Sequence, residues 1–228
     1  MQHKPIQLAV VDMAGTTVMD DGLVVNAFEA AATAVGVPES GPERESAREY
    51  VLDTMGQSKI SVFRALFGSE ELAQQANAAF ERAYEHLIDD GKAAPIAGAT
   101  EAISRLRENG IRVALTTGFS GTTQEKLLAA LGWQSLADLV LAPGDGVRGR
   151  PYPDLILTAL MRLEADSVFN VAALGDTTSD IESALRAGVA IAAGTLTGAH
   201  NDRQLRDAGA THVVGSITDF AELILQNR

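Results

Sequence analysis

Asp12, Asp176 and Asp180 are carboxylates placed where an apolar run or a glycine turn ends, and Thr117 and Arg150 occupy comparable positions elsewhere in the chain. Together they offer oxygen ligands and anion-binding groups, and the chain contains no cysteine. A set restricted to oxygen suits a hard cation, most simply Mg²⁺ held by a few carboxylates and completed by water and a substrate phosphate. Around Asp12 the sequence reads Leu8-Ala-Val-Val-Asp-Met-Ala-Gly-Thr-Thr17. Gly15, Thr16 and Thr17 supply a tight turn whose free N–H and hydroxyl donors suit an anionic group in front of the carboxylate. Each residue also has an ordinary use: Asp12 as a strand end, Gly175-Asp176 as a turn, Thr178-Ser-Asp180 as a helix cap, Arg150 as the partner of a surface acid. Their recurrence, each at the end of a strand, favours a shared pocket.

The elements that must position them follow from periodicity. Residues 8–11 are a continuous apolar run, the pattern of a strand buried on both faces of a parallel sheet, so Asp12 lies at the carboxyl end of a central strand. From about 20 to 94 the pattern is helical, with helices over 23–36, 43–54, 58–67 and 70–88. From Pro95 it alternates: helix 98–109, strand 111–116, helix 121–131, strand 138–142, helix 153–164, strand 170–175, helix 178–187, strand 189–193, a further helix, strand 211–214 and helix 217–226. Strands separated by such helices pair in parallel through right-handed crossovers. The expected fold is therefore α/β, a doubly wound, mainly parallel, Rossmann-like core built from 1–19 and 95–228, with an all-helical domain, 20–94, inserted after the first strand. Glycines in Asp20-Asp-Gly22 and in Gly91–Gly98 mark the two connections as hinges for a lid over the sheet edge.

At 228 residues the chain can bury a sizeable core, and its composition reads as that of a soluble globular protein. A net charge of −12 argues against nucleic acid or an anionic membrane as partner but allows a small phosphorylated molecule, since a metal ion and a few cations reverse the sign inside a cleft. No apolar run approaches the ~20 residues of a membrane span, and Met1–Pro5 leads into the first strand without a signal-peptide pattern, so a cytoplasmic location is expected. His3, His86, His200 and His212 all read as surface or packing residues.

The order strand-Asp-loop-Thr, strand-Thr, Arg, Gly-Asp-x-x-x-Asp resembles the haloacid dehalogenase superfamily over nearly the whole chain, with the helical insertion matching its cap domain. More narrowly, Asp12-x-Ala-Gly-Thr-Thr17, Met55-Gly-x-x-Lys59-Ile, Thr116-Thr-Gly118, Gly149-Arg-Pro-Tyr-Pro153 and Gly175-Asp-Thr-x-Ser-Asp180 resemble phosphonoacetaldehyde hydrolase and its phosphonatase-like relatives. The resemblance implies that Asp12 attacks phosphorus. It also implies that Mg²⁺ is held by Asp12, the carbonyl of Ala14 and Asp176, with Asp180 supporting the site. Thr117 and Arg150 would bind phosphoryl oxygens, and Thr16, Met55 and Gly118 would line the substrate. It further implies a homodimer through the lid helices.

Position 14 is informative because phosphatases of this superfamily usually carry there an acid that protonates a leaving alkoxide, and here it is alanine. A carbon leaving group then becomes more credible. Breaking a C–P bond needs an electron sink, which a lysine imine with a neighbouring carbonyl provides. Of the four lysines, Lys4 precedes the first strand, Lys92 lies in a connection and Lys126 inside a helix; Lys59 starts a lid helix and matches the Schiff-base lysine of the resembling family. A helix N-terminus and the apolar Ile60, Val62 and Phe63 should lower its pKa. Where phosphonoacetaldehyde hydrolase has a histidine and a tyrosine near the imine, this chain has Val62 and Phe119, and Met13 replaces a tryptophan. The expected activity is Mg²⁺-dependent cleavage of the C–P bond of phosphonoacetaldehyde or a related 2-oxoalkylphosphonate. The alternatives are a phosphomonoesterase acting on a small phosphorylated metabolite and a catalytically silent phosphate-binding or partner-binding module on the same fold.

Overall fold

The computed structural model describes residues 5–226, so His3 and Lys4 lie outside the described residues. The chain runs β1 (Leu8–Asp12), α1 (Leu23–Ala34), α2 (Pro42–Asp53), α3 (Lys59–Phe67), α4 (Glu70–Asp89), α5 (Ala99–Glu108) and β2 (Arg112–Thr116). It continues through α6 (Gly121–Leu131), β3 (Leu139–Leu141), α7 (Asp154–Arg162), β4 (Val171–Gly175), α8 (Thr178–Ala187), β5 (Ile191–Thr195), α9 (Asp202–Asp207), β6 (His212–Val214) and α10 (Ile217–Gln226). The six strands form one parallel sheet in the order β3-β2-β1-β4-β5-β6. This is the doubly wound α/β architecture expected from the alternation of short apolar runs with helices.

Every residue of β1 is buried, because both faces of the sheet are covered. Ala9 and Val11 pack with Ile103 and Leu106 of α5, Leu127 of α6 and Phe220 of α10. Leu8 and Val10 face the other way, towards Leu155 and Ile156 of α7 and Ala184 of α8. Winding proceeds outward from β1 through β2 to β3 and, in the opposite direction, from β4 to β6. The reversal lies between β1 and β4, and a crevice opens there at the carboxyl ends of the strands. Asp12 and Gly175-Asp176 flank it.

Helices α1 to α4 occupy the interval between β1 and α5 and share a core in which Phe28, Phe63, Phe80 and Tyr84 are buried. The two connecting segments run side by side: Met19 N–H donates to Ala94 O (2.9 Å) and Ile96 N–H to Thr17 O (2.9 Å). Asp21, Gly22, Gly91 and Gly98 all adopt positive φ in or beside these segments.

One strand lies two residues later than the pattern over 189–193 predicts. Gly188 ends α8 in the left-handed conformation, and Val189 N–H still bonds back to Ala184 O (3.4 Å). Val189 thus belongs to the helix end, and pairing of β5 begins at Ile191 and extends to Thr195 opposite Val214. Among the described residues no helix is long and apolar enough to cross a membrane.

Candidate active site

Asp12 (5% exposed), Asp176 (3%) and Asp180 (8%) meet at the switch point with carboxylate oxygens all within 4.8 Å of one another. Each is fixed by its local chain. Thr17 Oγ1 donates to Asp12 O (3.0 Å), folding the loop after β1 back on the strand end. Asp176 accepts from Thr16 Oγ1 (3.2 Å) and from Ala199 N–H (2.7 Å). The turn carrying Thr16 has Gly15 at φ 81°, and Asp176 occupies the space that a Cβ at position 15 would need. Asp180 stands three residues into α8 and completes a capping box with Thr177, whose N–H (3.1 Å) and hydroxyl (2.5 Å) both donate to Asp180 Oδ2.

Arg150, 5% exposed, comes from the loop between β3 and α7 and joins these carboxylates. Its Nη2 forms an ion pair with Asp12 Oδ1 (2.5 Å), and its Nη1 bonds Asp180 Oδ1. Thr117, just past β2, accepts Phe119 N–H on its hydroxyl oxygen (3.1 Å), which leaves the hydroxyl hydrogen free to donate towards the pocket.

The roof is the segment 55–59. Lys59 N–H donates to Gly118 O (3.2 Å), and a Cβ on Gly118 would lie 2.5 Å from Gln57 O. Only glycine at 118 lets the roof come this close. The Lys59 side chain is buried (7% exposed), with Nζ 5.3, 5.6 and 5.9 Å from the ring centroids of Phe119, Phe28 and Phe80. Among the described residues the amine makes no hydrogen bond or ion pair. Asp12, Ala14, Asp20, Met55, Lys59, Thr117, Gly118, Arg150 and Asp176 line one chamber between floor and roof. A wider crevice outside it, of about 610 Å³, shares Asp20 and Met55 and opens to solvent.

The charges in this chamber are unbalanced. Asp12, Asp20, Asp176 and Asp180 gather here around two permanently or readily charged bases, Arg150 and Lys59. Burial pushes the Asp12 carboxyl up, against the pull of Arg150, and the charge of Asp180 adds to the rise. Asp176 is pushed well above the carboxylate range by burial and by Asp12 and Asp180. Burial also raises Asp20, although Val24 N–H (2.9 Å) and Lys59 oppose the rise. Lys59 moves the other way: burial, with Arg150 adding to it, lowers its pKa from 10.5 to about 8, and Asp12, Asp20 and Asp176 limit the fall. Three crowded carboxylates whose ionised forms repel one another offer the oxygen ligands that a divalent cation takes.

The haloacid dehalogenase-like hydrolase family model matches residues 10–193, from β1 through β5. The chain belongs to the haloacid dehalogenase-like hydrolases. Within this family it is 26% identical over 255 residues to the phosphonoacetaldehyde hydrolase of Nitratidesulfovibrio vulgaris, covering 96% of this chain and 90% of that one. It is 27% identical over 216 residues to a Dickeya dadantii protein named "Probable phosphatase IndB", covering 93% and 90%. The fold is also that of the phosphonoacetaldehyde hydrolase-like protein of Oleispira antarctica, with a TM-score of 0.84 at 22% identity over 99% of this chain and 93% of that one.

In this haloacid dehalogenase-like hydrolase the structure brings Asp12, Ala14, Thr16, Met55, Lys59, Thr117, Gly118, Arg150, Asp176 and Asp180 together around one crevice. Of the other lysines, Lys92 is exposed, and Lys126 pairs with Glu85 and Asp89 of α4 at the surface. His200 is a packing residue whose Nδ1 accepts Thr178 N–H (2.8 Å) beside the site. Sequence reasoning did not single out Asp20, Thr177 or Tyr84. Asp20 reads as part of a hinge. Thr177 caps α8 one residue before the Thr178-Ser-Asp180 cap that the sequence suggests. Tyr84 looks like one more apolar position on the buried stripe of α4, and no spacing distinguishes it.

Proposed function

We propose that this hydrolase cleaves the carbon–phosphorus bond of a 2-oxoalkylphosphonate, phosphonoacetaldehyde or a close variant of it. The observation that carries this reading is the Lys59 amine: buried, without a polar partner and lowered in pKa, it is held in the same chamber as Asp12 in a chain that has alanine at position 14. An amine that spends much of its time neutral near pH 8 is a nucleophile for a carbonyl carbon. The resulting imine draws the electron pair of the C–P bond into an enamine as the Asp12 carboxylate bonds to phosphorus. Water then hydrolyses the aspartyl phosphate and the enamine. Arg150 and the Thr117 hydroxyl hold the phosphoryl oxygens. Mg²⁺, bound by Asp12, Ala14 O and Asp176 with Asp180 behind them, would supply the charge that offsets the crowded carboxylates and the phosphoryl group.

Residues 20–94 act in this scheme as a cap domain that opens about Asp20–Gly22 and Gly91–Gly98. Support comes from the size of the chamber, whose free space of about 20 Å³ is close to that of a single water, so a substrate enters only when roof and floor separate. The test combines phosphate release from phosphonates and phosphate esters, with and without Mg²⁺, and borohydride trapping of Lys59. The expected result is Mg²⁺-dependent release from a 2-oxoalkylphosphonate with an adduct on Lys59, both lost in Lys59→Ala. The similarity to the Dickeya dadantii protein favours a second reading, a phosphomonoesterase; phosphate-ester turnover that survives Lys59→Ala, without any adduct, would establish it.

A further inference from the structure

We infer that Tyr84 is a substrate-binding residue whose hydroxyl donates a hydrogen bond to the carbonyl oxygen of the molecule attacked by Lys59. This rests on the carbonyl-phosphonate reading above and adds to it the group that recognises the carbonyl.

Tyr84 lies on α4, on the stripe that buries Ala73, Ala76, Phe80 and Ile88. It is 1% exposed, and among the described residues its hydroxyl has no hydrogen-bond partner. An unpaired buried hydroxyl is costly, and phenylalanine would fill the same space without that cost. The Tyr84 and Lys59 side chains pack against the same two aromatic rings. The Tyr84 ring lies 4.5 Å from that of Phe119 and 6.0 Å from that of Phe80, and these same two rings lie 5.3 and 5.9 Å from Lys59 Nζ. Phe119 belongs to the floor loop that carries Thr117 and Gly118, so through this ring contact α4 brings Tyr84 against the loop at the carboxyl edge of the sheet. Val62 and Phe119 offer no hydrogen bond from their side chains, which leaves a carbonyl oxygen at Lys59 short of donors.

Burial, then the charges of Asp20 and Asp12, raise the phenol's pKa, so the hydroxyl keeps its proton and acts as a donor. In the step concerned, the Lys59 nitrogen bonds to the carbonyl carbon and the π pair moves to oxygen. That oxygen takes up the proton released by nitrogen, and after a second protonation it departs as water to leave the iminium. Tyr84 holds the oxygen throughout and neither gains nor loses a proton.

The test is Tyr84→Phe in the full chain with Mg²⁺, read by the rate of borohydride-trapped adduct on Lys59 with phosphonoacetaldehyde, by its pH profile and by the melting temperature. The expected result is trapping about 10- to 100-fold slower at every pH, with the pH midpoint unmoved and the melting temperature equal or higher. Trapping at the wild-type rate overturns the assignment and leaves the role of Lys59 intact. A lowered melting temperature or a displaced pH midpoint makes Tyr84 a structural residue and also overturns it. Absence of any adduct in the wild-type protein overturns both this inference and the reading on which it rests.

Discussion

Replacing Lys59 by methionine removes a charge that the fold disfavours, and the consequence for stability has a definite sign and pH window. Folding lowers the lysine's pKa from 10.5 to about 8, chiefly by burial and secondarily through Arg150, against the pull of Asp12, Asp20 and Asp176. Below pH 8 both the folded and unfolded chains carry the proton, and the folded state bears the full cost of a buried ammonium. Between pH 8 and 10.5 the unfolded chain binds a proton that the folded chain does not, so stability rises with pH across that window. A difference of this size corresponds to about 3 kcal/mol, an upper figure because the Phe28, Phe80 and Phe119 rings return part of it to the ammonium. Methionine keeps an unbranched chain of similar length without the charge. Lys59→Met should therefore be more stable than wild type by up to about 3 kcal/mol at pH 7, with the gap closing towards pH 10.5. Urea denaturation of both proteins at intervals from pH 7 to 10 measures the gap directly, and taking the difference cancels other titrating groups. A gap that stays constant with pH would show that the amine titrates at an ordinary value, and the case for Lys59 as a neutral nucleophile would fail with it. The catalytic counterpart is a trapping rate that climbs through about pH 8 and then levels off.

Gly118→Ala places a methyl group 2.5 Å from Gln57 O, so the roof segment must lift and the bond from Lys59 N–H to Gly118 O must break. Adduct formation at Lys59 should slow at least about 10-fold with the circular dichroism spectrum unchanged, and an unaltered rate would show that the close approach is unnecessary. Asp180→Asn removes one of the two carboxylates on Arg150 and replaces one of the acceptor oxygens of the α8 capping box with an amide. Because Arg150 keeps Asp12, the expected loss is at the lower end for a broken buried pair, about 3 kcal/mol by urea denaturation. A loss below about 1 kcal/mol would mean that Arg150 does not depend on Asp180.

Local sequence determined the fold to within a residue or two at most element ends. Strands such as Leu8–Val11 are apolar throughout because the sheet is covered on both sides, and helices announce themselves by spacing and by glycine stops such as Gly68, Gly132 and Gly188. The β5 boundary shows where that residue or two comes from, because Val189 is apolar in either role and only the α8 helix end that it completes decides between them. The residues at the strand ends were legible for the same reason: a carboxylate that interrupts an apolar run at a sheet's carboxyl edge has few places to point. What sequence could not supply is who stands opposite whom. That Arg150 bridges Asp12 and Asp180, that Lys59 lies among three aromatic rings, and that the Tyr84 hydroxyl has no partner among the described residues are facts about segments far apart in the chain. They depend on how the helical layer closes over the sheet, and the burial that shifts Asp12, Asp20, Lys59 and Asp176 exists only once the two surfaces are in contact.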